Sequence, residues 1–293
     1  MAARHTELGR LTRTFAQLMG AAQAWLVAEA QLEDVLAQCA TEAGADASAG
    51  ADVPIGTDAA PDMTADAACV VRVAVLSERN ELCDLRAWGR ACREPAERAK
   101  RAGLRGSDPA RRNKLLVADV SSVSCACCAA ARWGAHLAVD DLSLLWEPEA
   151  QGPANLWAVG LSRDAERTRP GLRAALDAAQ QACVDAGALD ADSCALLAGG
   201  LATLEARLHE RADAAAAVAA FLSCHPRVGG VRYPGLPEDA AHEAATCLLT
   251  GGFGPQVVWW RADASAEACE RVVVGTGQDP RAICEDVEQR LRA

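Results

Sequence analysis

Lysine is nearly absent from this chain of 293 residues, which contains only Lys100 and Lys114. Chemistry that needs a side-chain amine, such as imine formation with a carbonyl compound, is therefore restricted to these two positions. Arginine does not substitute in that role, because the guanidinium group stays protonated and is a poor nucleophile. Aromatic residues are also scarce, at 4% of the chain, and Tyr233 is the single tyrosine.

Positive charge is in deficit as well, since 29 basic side chains face 40 acidic ones and leave a formal net charge of −11. A protein of this charge repels phosphate backbones and anionic lipid surfaces, so we expect neither nucleic acid nor a membrane as a partner. No apolar run approaches the roughly 20 residues that span a bilayer. The start, from Met1 to Gly20, lacks a basic head followed by an apolar secretory segment, and we expect a cytoplasmic protein.

Cysteine is the exception to this scarcity, with thirteen residues. In a chain of this length without an export signal, they predict buried thiols rather than disulfides. Cys125, Cys127 and Cys128 form a tight cluster that could ligate a metal ion, but no second pair with matching spacing follows, and we expect no metal site.

The five histidines suggest no catalytic pairing. His136, His225 and His242 are scattered, and their spacing suggests no partner for any of them. We expect each of the three to be a packing or surface residue rather than a catalyst.

Helical periodicity marks the first half of the chain in two places. Apolar residues recur at helical spacing from Leu11 to Cys39, which predicts one helix or a pair. A second helix is predicted from Glu81 to Arg101, and we expect Pro95 to break or kink it.

The strands of the first half predict a parallel sheet. Buried strands are expected at Cys69–Leu76, Lys114–Val117, His136–Val139 and Trp157–Leu161. A helix predicted at Ser122–Trp133 would join the second and third of these strands into a βαβ unit.

Helices and strands alternate again in the last third. The pattern predicts helices at Ala195–Leu222 and Glu238–Leu249, strands at Val257–Arg261 and Arg271–Val274, and a final helix capped by Asp279. The fold class is therefore α/β with a smaller α+β domain at the C-terminus.

We divide the chain into four segments on this basis. They are an N-terminal helical segment (1–40), a loop or disordered linker (41–65), a reduced large domain (66–190) and a C-terminal small domain (191–293).

The stretch from Gly200 to Gly254 carries a family resemblance. It contains His225-Pro226, the turn Tyr233-Pro234-Gly235-Leu236-Pro237 and Gly252-Phe253-Gly254. This pattern resembles the pyridoxal-phosphate (PLP) enzymes of trans-sulfuration (Cys/Met metabolism), the cystathionine γ-synthase and γ-lyase family. The resemblance implies the fold of the aspartate-aminotransferase type (fold type I), whose large domain has a mostly parallel sheet. It also implies a PLP cofactor held on a lysine, in a site between two subunits.

The resemblance assigns roles to particular positions. Asp140 would pair with the pyridine nitrogen of the cofactor, Ser162 would bind its phosphate, and Arg271 would bind the substrate carboxylate. Ala165 falls where the family has the Schiff-base lysine, and Glu29 falls where the family has a phosphate-binding turn. Arg271 could equally form an ion pair in a domain interface.

These positions imply a chain without catalysis of its own. We expect a shortened paralogue that binds no PLP covalently and pairs with a lysine-bearing PLP-dependent homologue. That partner would act on a sulfur amino acid or on O-activated homoserine or serine. Two alternatives stay open. One is a stand-alone PLP enzyme that uses Lys114 or another route, and the other is a homo-oligomeric protein that binds a small carboxylate through Arg271.

Overall fold

The computed structural model describes residues 2–42, 51–52, 70–101, 114–145 and 155–292. The α-helices in this part are α1 (Ala2–Met19), α2 (Glu29–Glu42), α3 (Leu85–Arg101), α4 (Arg163–Thr168), α5 (Pro170–Asp185), α6 (Ala191–Ser223), α7 (His242–Leu248) and α8 (Pro280–Arg292). The strands are β1 (Gln23–Ala28), β2 (Ala51–Asp52), β3 (Val70–Ala74), β4 (Leu115–Asp119), β5 (Leu137–Asp141), β6 (Leu156–Leu161), β7 (Val228–Arg232), β8 (Gln256–Arg261) and β9 (Glu270–Val273).

The larger sheet has the strand order β1-β6-β5-β4-β3-β2. Strands β2 to β5 run parallel, whereas β6 is antiparallel to both β5 and β1. We call the edge where β3, β4 and β5 end the carboxyl edge, and the edge where they begin the amino edge. The fold is thus α/β with a mostly parallel sheet, as the sequence predicted.

The smaller sheet is antiparallel, with the order β7-β8-β9. Its apolar side packs on the second half of α6 and on α8, through Val218, Trp259 and Val287. The first half of α6 contributes Leu197 and Leu204 to the core of the larger sheet. The 33-residue helix α6 therefore belongs to both cores. The division of the chain at residue 191 stays a prediction, and most of the linker predicted at 41–65 lies outside the described residues.

The segment from Leu11 to Cys39 corrects the sequence interpretation, because a strand separates its two helices. Gly20 adopts a positive φ of 65° and ends α1, after which Gln23–Ala28 forms β1. Residues 24–27 are all buried. A short run that is buried on both faces has no periodicity that distinguishes a strand from a helix.

The helix predicted at Glu81–Arg101 is present as α3, which begins at Leu85 and continues through Pro95 to Arg101 without the predicted break. The predicted helix at Ser122–Trp133 is instead a series of turns that ends in a 3₁₀ helix at Ala130–Trp133. Ser124 has a φ of 74°, which is incompatible with an α-helix, and the following backbone N–H donates to a side chain of β5.

The sequence interpretation also missed elements. Strand β7 contains two glycines, which interrupt the β-branched pattern that predicts strands. Gly230 has no room for a side chain, because a Cβ there would overlap the ring of Trp260. Helices α4 and α5 had not been predicted, and α7 is shorter than the predicted Glu238–Leu249.

Within the described ranges, no helix is long and apolar enough to cross a membrane.

Candidate functional site at the carboxyl edge

Asp140 is the buried carboxylate at the end of β5, with 3% of its surface exposed. Its Oδ2 accepts hydrogen bonds from the backbone N–H of Cys125, at 2.6 Å, and from the hydroxyl of Ser124, at 3.2 Å. Both donors belong to the turn after β4. Among the described residues, Oδ1 is buried and has no hydrogen-bond partner.

Burial raises the pKa of Asp140 from 3.8 to about 6, and the hydrogen bonds from Cys125 oppose this shift. The nearby Asp119 raises the pKa further. The described chain thus supplies Asp140 with neutral donors and an acidic neighbour.

Other acidic residues lie along the carboxyl edge with Asp140. Asp119 ends β4 and forms an ion pair with Arg72 at 2.8 Å, and Asp141 accepts hydrogen bonds from Ser143. Glu29 begins α2 at the same edge, where its backbone N–H donates to Asn155. Ligands of open α/β sheets bind outside the carboxyl ends of the parallel strands. At this edge, a phosphate dianion would meet several carboxylates.

Ser162 lies at the opposite edge from Asp140, and this corrects the sequence interpretation. Because β6 is antiparallel to β5, the N–H of Ser162 bonds to the carbonyl of His136, which precedes β5. Four strand residues, or roughly 13 Å, separate His136 from Asp140. The Oγ of Ser162 accepts the N–H of Ala165 at 3.2 Å and caps α4. Ser162 and Asp140 therefore cannot hold the two ends of one cofactor, and Ala165 is not at the base of a cleft that contains Asp140.

Lys114 is also distant from Asp140. Lys114 directly precedes β4 and is buried, with 6% of its surface exposed. Its backbone N–H donates to the carbonyl of Cys92. The register pairs Val117 with Leu137, so Lys114 lies six residues from the level of Asp140, or roughly 20 Å along the strands. The other lysine, Lys100, belongs to α3, which packs against β4 and the Ala130–Trp133 turn.

Arg271 is on strand β9 of the smaller sheet, and its side chain is 48% exposed. Its nearest described carboxylate is Glu78, in the loop after β3, at 3.8 Å. This distance is too long for a hydrogen bond, and Glu78 is itself 91% exposed. The contact joins the loop to the smaller sheet, and the expected binding of a carboxylate by Arg271 stays a prediction.

The cysteine cluster consists of buried thiols. Burial raises the pKa of Cys127 to about 11 and that of Cys128 to about 12, and it also raises the pKa of Cys125. Eight of the twelve cysteines in the described part are buried. In that part, no group of three His, Cys, Asp or Glu residues is arranged to hold a metal ion.

The residues present do not fit covalently bound PLP in this chain. The chain has only two lysines, and Lys114 is far from the carboxylate that would hold the pyridine ring. The serine assigned to the phosphate lies at the other edge of the sheet.

Comparison with known proteins agrees with the resemblance. Residues 173–276 match the family described as Cys/Met metabolism PLP-dependent enzymes. This segment of the chain is similar to the trans-sulfuration family. Cystathionine gamma-synthase of Mycobacterium tuberculosis is 40% identical over 77 residues, which are 26% of this chain and 20% of that protein. Cystathionine gamma-lyase of Sus scrofa is 45% identical over 58 residues, or 20% of this chain and 14% of that protein. The aligned segments thus span a fifth or less of these relatives.

Solved structures support the fold over nearly the whole chain. Apo CalE6, a methionine gamma lyase from Micromonospora echinospora, has a TM-score of 0.65 and 19% identity, covering 98% of this chain and 85% of that one. Cystathionine gamma synthase from Xanthomonas oryzae, in complex with aminoacrylate and cysteine, has a TM-score of 0.67, 18% identity and the same coverage. The chain therefore has the fold of the PLP-dependent fold type I enzymes.

Two signals in the sequence predict where Ser162 lies. The connection between β5 and β6 contains Pro148, Gly152 and Pro153, which leaves little room for the crossover helix that a parallel neighbour of β5 requires. Ser162 is followed by Asp164 and Glu166, a pattern typical of a helix N-terminus.

Proposed function

We propose that this chain is a non-catalytic relative of the trans-sulfuration enzymes that pairs with a lysine-bearing, PLP-dependent homologue and supports the site of that subunit. The observation that carries the proposal is the roughly 20 Å along the strands between Lys114 and Asp140. In PLP, the carbon that forms the imine and the nitrogen that pairs with the carboxylate are on opposite sides of one small ring. A single PLP therefore cannot reach both Lys114 and Asp140.

The acidic carboxyl edge supports the same proposal. A phosphate dianion placed beside one carboxylate at contact distance meets a repulsion of roughly 1 to 4 kcal/mol for the dielectric range near a protein surface. Glu29, Asp119 and Asp141 lie along this edge, and Asp119 is partly neutralised by Arg72. We infer that PLP binds to the partner subunit and not to this chain.

The comparisons motivate the chemistry of the partner. The relatives named above are cystathionine gamma-synthases and gamma-lyases. The proposed partner performs elimination or replacement on a sulfur amino acid or on O-activated homoserine or serine. We also propose that the complex is cytoplasmic.

The first test is spectroscopic and uses the purified chain alone. We expect titration with PLP, followed by borohydride reduction and peptide mass analysis, to give no pyridoxyl adduct at Lys114 above the level seen with a Lys114→Arg variant. A stoichiometric adduct that this variant abolishes would overturn the non-catalytic assignment.

The second test addresses pairing. The tagged chain is co-expressed with a lysine-bearing homologue from the same source, and the complex is sized and reduced with borohydride. We expect one hetero-oligomer in which the pyridoxyl label is on the homologue. A stable homodimer of this chain, with no homologue in the same peak, would contradict the pairing without restoring a lysine site.

A further inference from the structure

A cavity of about 520 Å³ opens at the amino edge of the larger sheet, on the far side from Asp140. It lies where β5 begins and β6 ends, and its walls come from α1, α3, the Ala130–Trp133 turn and the start of α4. Its volume is within the range of small-molecule sites. Alanines such as Ala16, Ala21 and Ala135 line it and leave the space open.

Three arginines from three different elements line this cavity. Arg93 comes from α3, Arg132 from the 3₁₀ helix and Arg163 from the first position of α4. Within the described ranges, the side chains of these three arginines form no hydrogen bond and no ion pair. By contrast, Arg72 of β3 and Arg173 of α5 each have a carboxylate within 3.1 Å. Three guanidinium groups thus lie around one cavity in a protein with a net charge of −11.

Neutral donors complete the lining. The Nδ1 atom of His136 accepts the backbone N–H of Leu116 at 3.0 Å, which places the proton of the neutral ring on Nε2. Burial lowers the pKa of His136 to about 4, so the ring stays neutral at pH 7. Its Nε2 is 4.0 Å from Asp164, beyond hydrogen-bond distance, while the other oxygen of Asp164 binds Arg167 at 2.8 Å.

Gly20 positions one of the arginines. A Cβ at this residue would overlap Cγ of Arg132, so the missing side chain lets the aliphatic part of Arg132 lie against α1. The guanidinium group is thereby brought to the same wall as Ala16 and Ala21. A long basic side chain that is supported along its stem loses less rotamer freedom when it binds a ligand.

We propose that this cavity binds a small organic anion with at least two negative charges, such as a phosphate ester or a polycarboxylate. Three guanidinium groups supply planar pairs of N–H donors of the kind that bind phosphate and carboxylate oxygens. Asp164 is the one carboxylate in the lining. The site is independent of the proposed subunit pairing, because it lies at the opposite edge of the sheet from Asp140.

Calorimetric titration of the full chain with inorganic pyrophosphate and with citrate, at low ionic strength, tests the site. We expect saturable binding of one equivalent of at least one probe. A preference for pyrophosphate identifies the phosphate class, and a preference for citrate identifies the carboxylate class. The variants Arg93→Gln and Arg163→Gln should each weaken binding roughly tenfold to a hundredfold, since a hydrogen bond to a charged group contributes on this scale.

Arg281→Gln is the control, because it removes the same charge from an exposed residue of α8 outside the lining. It should leave the affinity unchanged. Arg163 is exposed at a helix start, so its variant keeps the fold, which circular dichroism verifies. Absence of saturable heat with both probes at millimolar concentration would overturn the proposal. An equal loss of affinity in Arg281→Gln would also do so, because it would show a nonspecific charge effect.

Discussion

His136 and Asp140 sit at opposite ends of β5, and they give the stability of the protein two opposing dependences on pH. The pKa of His136 falls from 6.5 to about 4 because of burial, so the unfolded chain takes up this proton first as the pH decreases. Stability is lost between pH 6.5 and about 4. The shift corresponds to about 3 kcal/mol at roughly 1.4 kcal/mol per pKa unit.

Asp140 acts in the opposite direction over nearly the same range. Its pKa rises from 3.8 to about 6, so the folded chain holds this proton more tightly. The stabilisation is fully present below pH 3.8 and is lost as the pH rises to about 6, again by about 3 kcal/mol. The two effects nearly cancel in the wild type.

Replacing one group at a time should separate the two effects. In His136→Asn, the side-chain oxygen can still accept the N–H of Leu116, while in Asp140→Asn the side-chain oxygen can still accept the donors from Ser124 and Cys125. Relative to the wild type, His136→Asn should lose stability by about 1.4 kcal/mol per unit as the pH rises from 4 to 6, and Asp140→Asn should gain about as much.

Urea unfolding followed by tryptophan fluorescence between pH 4 and 7 measures both slopes. If each variant differs from the wild type by a constant amount across this range, neither group has the shifted pKa. The reasoning about the Asp140 site would then be refuted.

Three further predictions concern packing and buried hydrogen bonds. Gly200→Ala should destabilise the protein by about 1 to 3 kcal/mol in urea unfolding, because the new Cβ would overlap the carbonyl oxygen of Leu145. Gly199→Ala is the control: this residue faces open space in the same helix, so the change should stabilise the protein by up to about 1 kcal/mol. Equal effects of the two changes would contradict the packing. Asn80→Asp should cost about 2 kcal/mol or more by the same measurement, because it removes the amide that donates to two carbonyls of the smaller sheet, at 2.7 and 3.0 Å. Tyr233→Phe should lower the unfolding free energy by about 1 kcal/mol, since it loses a buried hydrogen bond of 3.0 Å, and no change would show that this bond is not formed.

Long elements with strong patterns were predicted well from the sequence. Helix α6, the strands at Val257–Arg261 and Trp157–Leu161, and the helix after Asp279 appear near their expected bounds. Each combines a clear apolar pattern with a cap or a turn signal. Local patterns of this kind depend on neighbouring residues, which the sequence displays directly.

The candidate site was predicted less well, because it depends on strand direction. Counting residues forward from Asp140 placed Ser162 beside it, but counting does not reveal that β6 returns antiparallel to β5. This reversal brings Ser162, which follows β6, to the other edge of the sheet. The arginines of the amino-edge cavity were missed for a similar reason, since Arg93, Arg132 and Arg163 are distant in sequence and meet only through the folded topology.

Helix α6 has a consequence for how the protein unfolds. Its 33 residues extend roughly 50 Å at 1.5 Å per residue, and they are shared between two apolar clusters. Neither cluster can unfold alone while this helix keeps its backbone hydrogen bonds. We therefore expect the amide protons near Leu208 and Ala212 to exchange only when the whole molecule unfolds. The shared helix thus makes the two clusters unfold as one cooperative unit.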